Sequence, residues 1–179
     1  KLLFCGSSGA GKTTAVSVLG DVPAMSTELW PGALGGRVTR ASTVAQDYAY
    51  MDLGSNERIH LYGTPGAHQF KFMGDLLKVG AFGVVVLIDN RQQDSLVELE
   101  RMLEQYSELL AENRLVIGIT HMDKALQPRI DHYQQWLFTY CLNKAVIPAV
   151  FDVDARSAKD LKVLIQALFF GSNPVAVSS

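Results

Sequence analysis

The residues from Gly6 to Thr13 match the pattern G-x-x-x-x-G-K-[ST], whose residue types suit the binding of a polyphosphate. Glycines let the backbone turn tightly and approach phosphate oxygens, and successive N–H groups then point into one concavity at the positive end of a helix. Here Lys12 would reach the β- and γ-phosphates, and the Thr13 hydroxyl would hold a magnesium ion. The predicted phosphate contacts are Ser8, Gly9, Ala10, Gly11, Lys12, Thr13 and Thr14.

The flanking sequence supplies the elements that such a loop requires. Residues 1–5 form a short apolar run that predicts a strand, and residues 14–19 can begin a helix. A glycine-rich turn without a ligand is the alternative interpretation. We expect nucleotide binding because the pattern lies between a strand and a helix.

Apolar patterns along the rest of the chain predict alternating strands and helices. The predicted strands cover residues 44–53, 58–62, 82–88, 115–120 and 145–150, and the predicted helices cover residues 70–79, 95–110, 129–142 and a stripe at 161–168. Residues 20–42 predict a long loop. This order indicates an α/β fold with a mostly parallel sheet and helices on both faces. Together with the phosphate loop it resembles the three-layer P-loop NTPase fold, which implies a six-stranded sheet with one antiparallel edge strand. Ligands of such sheets bind beyond the carboxyl ends of the strands.

Composition bounds the class of protein. The 179 residues predict one domain over residues 1–170 and a tail over 171–179. Apolar residues make up 48% and charged residues 19%, which argues against disorder, and a net charge of −2 offers no basic footprint for nucleic acid. No apolar run reaches the ~18 residues of a membrane span. Two interior cysteines, Cys5 and Cys141, predict a reducing cytoplasm. The chain begins inside a predicted strand, so we expect it to be part of a longer protein.

The loop after the strand at 58–62 looks like the D-x-x-G segment of the Ras-like GTPases, whose glycine N–H contacts the γ-phosphate. Gly66 stands at that glycine. Gly63 replaces the family's aspartate, which supports magnesium, and Ala67 replaces the glutamine that orients the attacking water. The alternative interpretation is a Pro-Gly turn.

The loop after the strand at 115–120 resembles the N-K-x-D motif for guanine, with Thr120 in place of asparagine and His121 in place of lysine. A carboxylate at Asp123 can accept hydrogen bonds from both N1–H and the 2-amino group of guanine. Adenine cannot supply that pair, and an unpaired site is costly enough to discriminate strongly. The alternative role of Asp123 is a helix cap.

A further base-side loop follows the last strand of Ras-like chains, and it is usually Ser-Ala-Lys. Ser157-Ala158-Lys159 is the obvious match, but the apolar face of the final helix begins too soon after it. The family spacing instead favours Asp154, Ala155 and Arg156, with the Ala155 N–H facing guanine O6. Ser157 would then cap the helix.

Thr43 is predicted to close over magnesium and the γ-phosphate, because the run that it starts resembles the T-[IV]-G-x-D-[FY] run of Rab-type GTPases. Thr39 and Thr27 are less well placed. Arg40 stands three residues before Thr43, a spacing similar to that of the built-in arginine of heterotrimeric G-protein α subunits. Arg37 competes for this role, and a solvated arginine is the alternative.

The resemblance runs from Lys1 to about Phe170 and favours the bacterial Ras-like GTPases, including the gliding-motility polarity group. It implies a slow, Mg²⁺-dependent GTPase that binds GTP and GDP, with Lys12, Arg40 and Thr43 as the catalytic residues. His68 or Gln69 could position water. It also implies an effector or activating protein at the switch loops, with roadblock-type partners as one class. The rival prediction is a nucleotide-binding scaffold with little or no hydrolysis, and a P-loop kinase is less favoured because the chain lacks an arginine-rich lid.

Overall fold

A computed structural model describes residues 1–29, 44–65, 71–124 and 129–172 of the chain. These ranges contain the strands β1 (Leu2–Cys5), β2 (Met25–Leu29), β3 (Val44–Gly54), β4 (Glu57–Gly63), β5 (Gly83–Asp89), β6 (Leu115–Thr120) and β7 (Ala149–Asp152). They also contain the helices α1 (Lys12–Leu19), α2 (Lys71–Lys78), α3 (Ser95–Gln105), α4 (Ser107–Ala111), α5 (Ile130–Tyr140) and α6 (Ala158–Ser172), and a 3-10 turn at Met122–Lys124.

The strands form one sheet in the order β2-β3-β4-β1-β5-β6-β7. From β4 to β7 every neighbouring pair is parallel, whereas β3 is antiparallel to both β4 and β2. Every residue of β5 and of β6 is buried, as expected for strands covered on both faces. The predicted α/β fold with a mostly parallel sheet is therefore confirmed.

Helices cover both faces of the sheet, because successive side chains of a strand point to opposite sides. Along β1, Leu2 and Phe4 pack in a core with residues of α1 and α6. Leu3 and Cys5 pack in a second core with residues of α3, α4 and α5. Both cysteines are buried and free, and burial raises the pKa of the Cys5 thiol to about 12.

The described residues form a sheet of seven strands, one more than the predicted six, and β3, which was predicted at the antiparallel edge, has β2 outside it. The additional strand, β2, lies within the stretch predicted as a loop and pairs with β3 from Met25↔Tyr48 to Leu29↔Val44. Its sequence, Met-Ser-Thr-Glu-Leu, has no apolar alternation. Backbone pairing with β3 holds β2 in the sheet, so its residue types alone do not predict a strand.

Two other boundaries differ from the sequence prediction. The helix predicted over 95–110 is broken at Tyr106 into α3 and α4. The last strand begins at Ala149, after Pro148, because proline has no N–H to donate to a neighbouring strand. At the other end, α6 continues to Ser172, two residues into the predicted tail. None of the helices in the described ranges has the length and apolarity needed to cross a bilayer.

Candidate functional site

The predicted phosphate loop, Gly6 to Thr13, joins the carboxyl end of β1 to the start of α1. Its tightest point is Gly6, which has a φ of 135° and lies so close to β5 that a Cβ atom would be 1.9 Å from the carbonyl oxygen of Leu87. No other residue type fits this backbone without moving one of the two strands. The loop is therefore fixed against the centre of the sheet.

Lys12 lies along the inside of the loop. Its ammonium group donates hydrogen bonds to the carbonyl oxygens of Gly6, at 2.9 Å, and Ser7, at 2.6 Å, and the residue is only 8% exposed. Burial lowers the pKa of Lys12, and the charge of Asp47 opposes this shift. The cation is thus held at the mouth of the loop, where a phosphate group would be in reach.

The amino end of α1 suits an anion. The N-cap residue, Gly11, provides no side-chain hydrogen bond, and the first N–H groups of any helix lack acceptors within the helix. In addition, the buried hydroxyl of Ser7 has no hydrogen-bond partner among the described residues. Free backbone donors, a buried cation and an unsatisfied hydroxyl in one loop fit a bound phosphate group.

Thr13 contacts a carboxylate that the sequence analysis did not single out. Its hydroxyl donates to Oδ2 of Asp47 at 2.5 Å, and Asp47 is only 4% exposed. Asp47 lies on β3 directly opposite Gly63 of β4. The signal that could have found it is its place at the aspartate of the T-[IV]-G-x-D-[FY] run that starts at Thr43.

Thr120 connects the phosphate loop to the ends of two strands. Its hydroxyl lies 3.1 Å from the carbonyl oxygen of Ala10 and 3.2 Å from that of Ile88, and the residue is 1% exposed. The next residue, His121, has a φ of 60°, and its Nδ1 is 3.3 Å from Oδ1 of Asp89. The predicted base-side loop is therefore anchored to the phosphate loop by its first side chain.

Asp89 and Arg91 form an ion pair next to the phosphate loop that the sequence analysis also missed. Nε of Arg91 is 2.9 Å from Oδ1 of Asp89, and its terminal NH2 nitrogen is 2.6 Å from Oδ2. Burial acts to raise the pKa of Asp89, but hydrogen bonds from Arg91 and the nearby His121 outweigh it and keep this pKa below its usual value. The pair is thus ionised at neutral pH.

The loop after β7 contains the second set of predicted base contacts. Ala155 is buried, and its methyl group lies where a Cβ on Gly11 would be only 2.7 Å away. Arg156 makes a two-pronged ion pair with Asp154, at 2.8 and 2.7 Å, which holds the pKa of Asp154 at about 2. Ala155 therefore packs directly on the phosphate loop.

Ser157 caps α6, as expected from the spacing. Its hydroxyl oxygen accepts a hydrogen bond from the Asp160 N–H at 3.3 Å, and the hydroxyl donates to Oδ1 of Asp160 at 2.9 Å. The first bond is the side-chain cap that starts many helices, and the second orients the Ser157 hydroxyl. Ser157 is thus occupied by the helix.

These loops enclose a cavity of about 710 Å³, which is within the usual range for small-molecule sites. Its walls are the phosphate loop and the start of α1, the segment from Thr120 to Lys124, and residues 152–156 with Asp160. The structure thus brings Asp123, Ala155 and the phosphate loop to one site, and their binding roles stay predictions. Thr27 lies on β2. The other predicted switch-loop residues lie outside the described residues: Arg37, Thr39, Arg40, Thr43, Gly66, Ala67, His68 and Gln69.

Sequence comparisons relate this chain to a known protein but to no family model. No protein-family model matches the sequence. The chain is 31% identical over 120 residues to an uncharacterized protein of Methanocaldococcus jannaschii, and the match covers 66% of this chain and 66% of that protein, slightly less than two thirds of its length.

A solved structure is similar over almost the whole chain. The bacterial selenocysteine-specific elongation factor EF-Sec superposes with a TM-score of 0.59 at 18% identity, over 97% of this chain and 29% of that chain. The α/β fold is thus similar to that of a P-loop GTPase, as predicted, and at this identity the likeness concerns the fold alone. This chain spans less than a third of the elongation factor. Membership of the bacterial Ras-like group stays a prediction.

The Thr120 hydroxyl provides a test of how the site is held together. Thr120→Val keeps the shape of the side chain but leaves buried carbonyl oxygens without this donor, so we expect a loss of about 1–3 kcal/mol in the free energy of unfolding. Urea denaturation followed by circular dichroism measures it. The matched control is Thr139→Val, since the Thr139 hydroxyl also donates to a backbone carbonyl, that of Gln135 at 3.1 Å, but on an exposed face of α5. Equal effects of the two substitutions would contradict a tethering role.

Proposed function

We propose that this chain is a GTP-binding molecular switch that slowly hydrolyses GTP to GDP and phosphate with Mg²⁺. The observation that carries the proposal is the cavity of about 710 Å³, which is lined by the phosphate loop and by the segments that contain Asp123 and Ala155. A nucleotide has a polyphosphate and a base at opposite ends, and this cavity offers complementary groups for both.

Guanine is the base that the chemistry of the pocket favours. The carboxylate of Asp123 can accept two hydrogen bonds from the N1–H and 2-amino group of guanine, and the Ala155 N–H can donate to O6. His121, Asp154, Arg156 and Thr120 complete the proposed base side, with Thr120 acting through its contact with Ala10. Adenine presents the opposite donor and acceptor pattern and would leave a carboxylate unpaired.

A magnesium ion fits beside the phosphate loop. Thr13 supplies a hydroxyl whose proton is already donated to a carboxylate, and Thr43 is the proposed second hydroxyl ligand. Mg²⁺ in such sites is held by one or two protein groups together with substrate phosphates, and it stabilises the charge that develops on the phosphoryl oxygens. Lys12 would neutralise the same oxygens.

The switch itself would lie in the loops after α1 and β4. GTP would order Thr43 and Gly66 through contacts with the γ-phosphate, and hydrolysis would release both loops, so that a partner protein senses the difference. A roadblock-type partner, membership of the gliding-motility polarity group of bacterial Ras-like GTPases and a cytoplasmic location are the finer parts of this proposal. They rest on the sequence resemblance.

Ala67 favours a second candidate function, a nucleotide-binding scaffold that hydrolyses little or no GTP. Without a glutamine at this position the chain lacks the side chain that orients water in Ras-like enzymes, which would spare binding and weaken chemistry. Turnover of GTP that Lys12→Ala abolishes would exclude the scaffold.

Exchanging Asp123 for asparagine tests the base assignment. Because each hydrogen bond to a charged group is worth about 1.5–3 kcal/mol and 1.4 kcal/mol is tenfold, we expect Asp123→Asn to weaken GDP binding roughly 100-fold or more. Xanthosine diphosphate, which offers an oxygen at position 2, should gain affinity for the variant. Isothermal titration calorimetry measures both, with Asp131→Asn on α5 as the control. Wild-type binding of ADP as tight as that of GDP would contradict the assignment.

Single-turnover GTP hydrolysis tests the catalytic arginine. If Arg40 stabilises the transferred phosphoryl group, Arg40→Ala should lower the rate by about 10³-fold while GTP affinity changes little. Arg37→Ala removes the same charge three residues earlier and tests the competing residue, so its rate should equal that of the wild type. An unchanged rate in Arg40→Ala would remove Arg40 from the mechanism and leave the role to Arg37 or to a partner protein.

A further inference from the structure

The contact between Thr13 and Asp47 joins two parts of the chain that sequence motifs treat separately. Thr13 is the second residue of α1, and its hydroxyl donates to the buried carboxylate of Asp47 on β3 at 2.5 Å. We propose that Asp47 positions the metal-binding hydroxyl of Thr13, in place of the aspartate that Ras-like sequences carry at Gly63. The inference rests on the proposed nucleotide function and deepens its metal site.

The register of β3 and β4 explains how the exchange works. Asp47 lies directly opposite Gly63 in the antiparallel pair. A Cβ atom on Gly63 would lie 3.0 Å from Oδ2, 3.1 Å from Cβ and 3.5 Å from Cγ of Asp47, and these are its three nearest atoms. A side chain at position 63 would therefore crowd Asp47, and the glycine leaves room for the carboxylate of β3. The carboxylate reaches the phosphate loop from the neighbouring strand.

The chemistry of a hydroxyl explains why a carboxylate is needed here. A threonine hydroxyl has one proton and two lone pairs, so donating the proton to a carboxylate leaves the oxygen lone pairs free for a cation. The bond to a charged acceptor is also stronger than a neutral one and fixes the rotamer of the ligand. An uncharged acceptor would hold the hydroxyl more weakly and add no negative charge near the metal.

The surroundings of Asp47 suit this role. The residue is almost fully buried, and the ammonium group of Lys12 is close enough for their charges to interact. A carboxylate in such a place needs a hydrogen-bond donor and a compensating charge, and Thr13 and Lys12 provide them. The absence of aspartate from position 63 therefore does not remove carboxylate support from the metal site.

The experiment measures the release of a fluorescent GDP analogue from the chain, once in excess Mg²⁺ and once in excess EDTA. The ratio of the EDTA rate to the Mg²⁺ rate reports how strongly the metal holds the nucleotide. In Asp47→Asn we expect this ratio to fall by about 10- to 100-fold, the usual effect of losing a partner of a metal ligand. The rate in EDTA should match that of the wild type, because the phosphate loop itself is unchanged.

Asp52→Asn is the matched control. Asp52 lies on the same strand and accepts a hydrogen bond from the Gly54 N–H at 2.9 Å, far along β3 from Thr13. Its ratio should equal that of the wild type. A second variant, Asp47→Gly with Gly63→Asp, moves the carboxylate to the other strand and should restore part of the ratio. Gly63 is not among the described residues with positive φ, so its backbone accepts a side chain once Asp47 is gone.

The outcomes separate this inference from the proposed function. If wild-type release is sensitive to Mg²⁺ and Asp47→Asn behaves like the wild type, the proposal is overturned and the nucleotide site stands. Equal acceleration of release in Mg²⁺ and in EDTA would assign Asp47 a purely structural role and also overturns it. If the wild-type chain does not bind GDP at all, the proposed function fails first. A selective loss of the Mg²⁺ effect, with recovery in the double variant, supports the proposal.

Discussion

The close approach of Gly6 to the carbonyl oxygen of Leu87 is the constraint on which the site depends. It sets the phosphate loop directly against β5, at the carboxyl end of the central strand β1. Two further contacts hold the same loop, since Thr120 lies against Ala10 and Ala155 lies against Gly11. The loop is thus supported by the ends of β5, β6 and β7, and it inherits the rigidity of a buried sheet.

Charge is arranged so that an acidic pocket can still receive an anion. Buried Asp89 is neutralised by Arg91, and Asp154 is paired with Arg156 on the rim. Beside the phosphate loop, Asp47 accepts a hydrogen bond from the Thr13 hydroxyl, near the charge of Lys12. These three carboxylates thus have partners among the described residues, and the backbone donors of the loop are left to a phosphate group.

Sequence patterns predicted most of the fold because the central parallel strands β1, β5 and β6 are buried along their whole length, and such strands have continuous apolar sequences. The edge strand β2 was missed because a strand with one neighbour needs no such run. The sequence also did not predict that Thr120 supports the phosphate loop, because the motif has asparagine at this position. Its hydroxyl nevertheless tethers the loop, a role that is seen only in the structure.

The pairing of Asp47 with Gly63 shows why register is hard to predict from a sequence. The turn between β3 and β4 has Ser55 and Asn56 at positive φ, and a regular hairpin around these two residues would place Asp47 opposite Thr64. An irregularity between Asp52 and Gly54 shifts the register by one residue. That shift places the Asp47 carboxylate opposite Gly63, and no local sequence pattern predicts the shift.

The most direct measurement is a titration of the ¹⁵N-labelled chain followed by amide chemical shifts. Mg²⁺ with GDP is added to one sample and Mg²⁺ with pyrophosphate to another, and the amides of Lys12, Thr13, Asp123 and Ala155 are compared. If one nucleotide spans the pocket, both ligands shift Lys12 and Thr13, and only GDP also shifts Asp123 and Ala155. Saturation with GDP that leaves Asp123 and Ala155 unmoved would contradict the account.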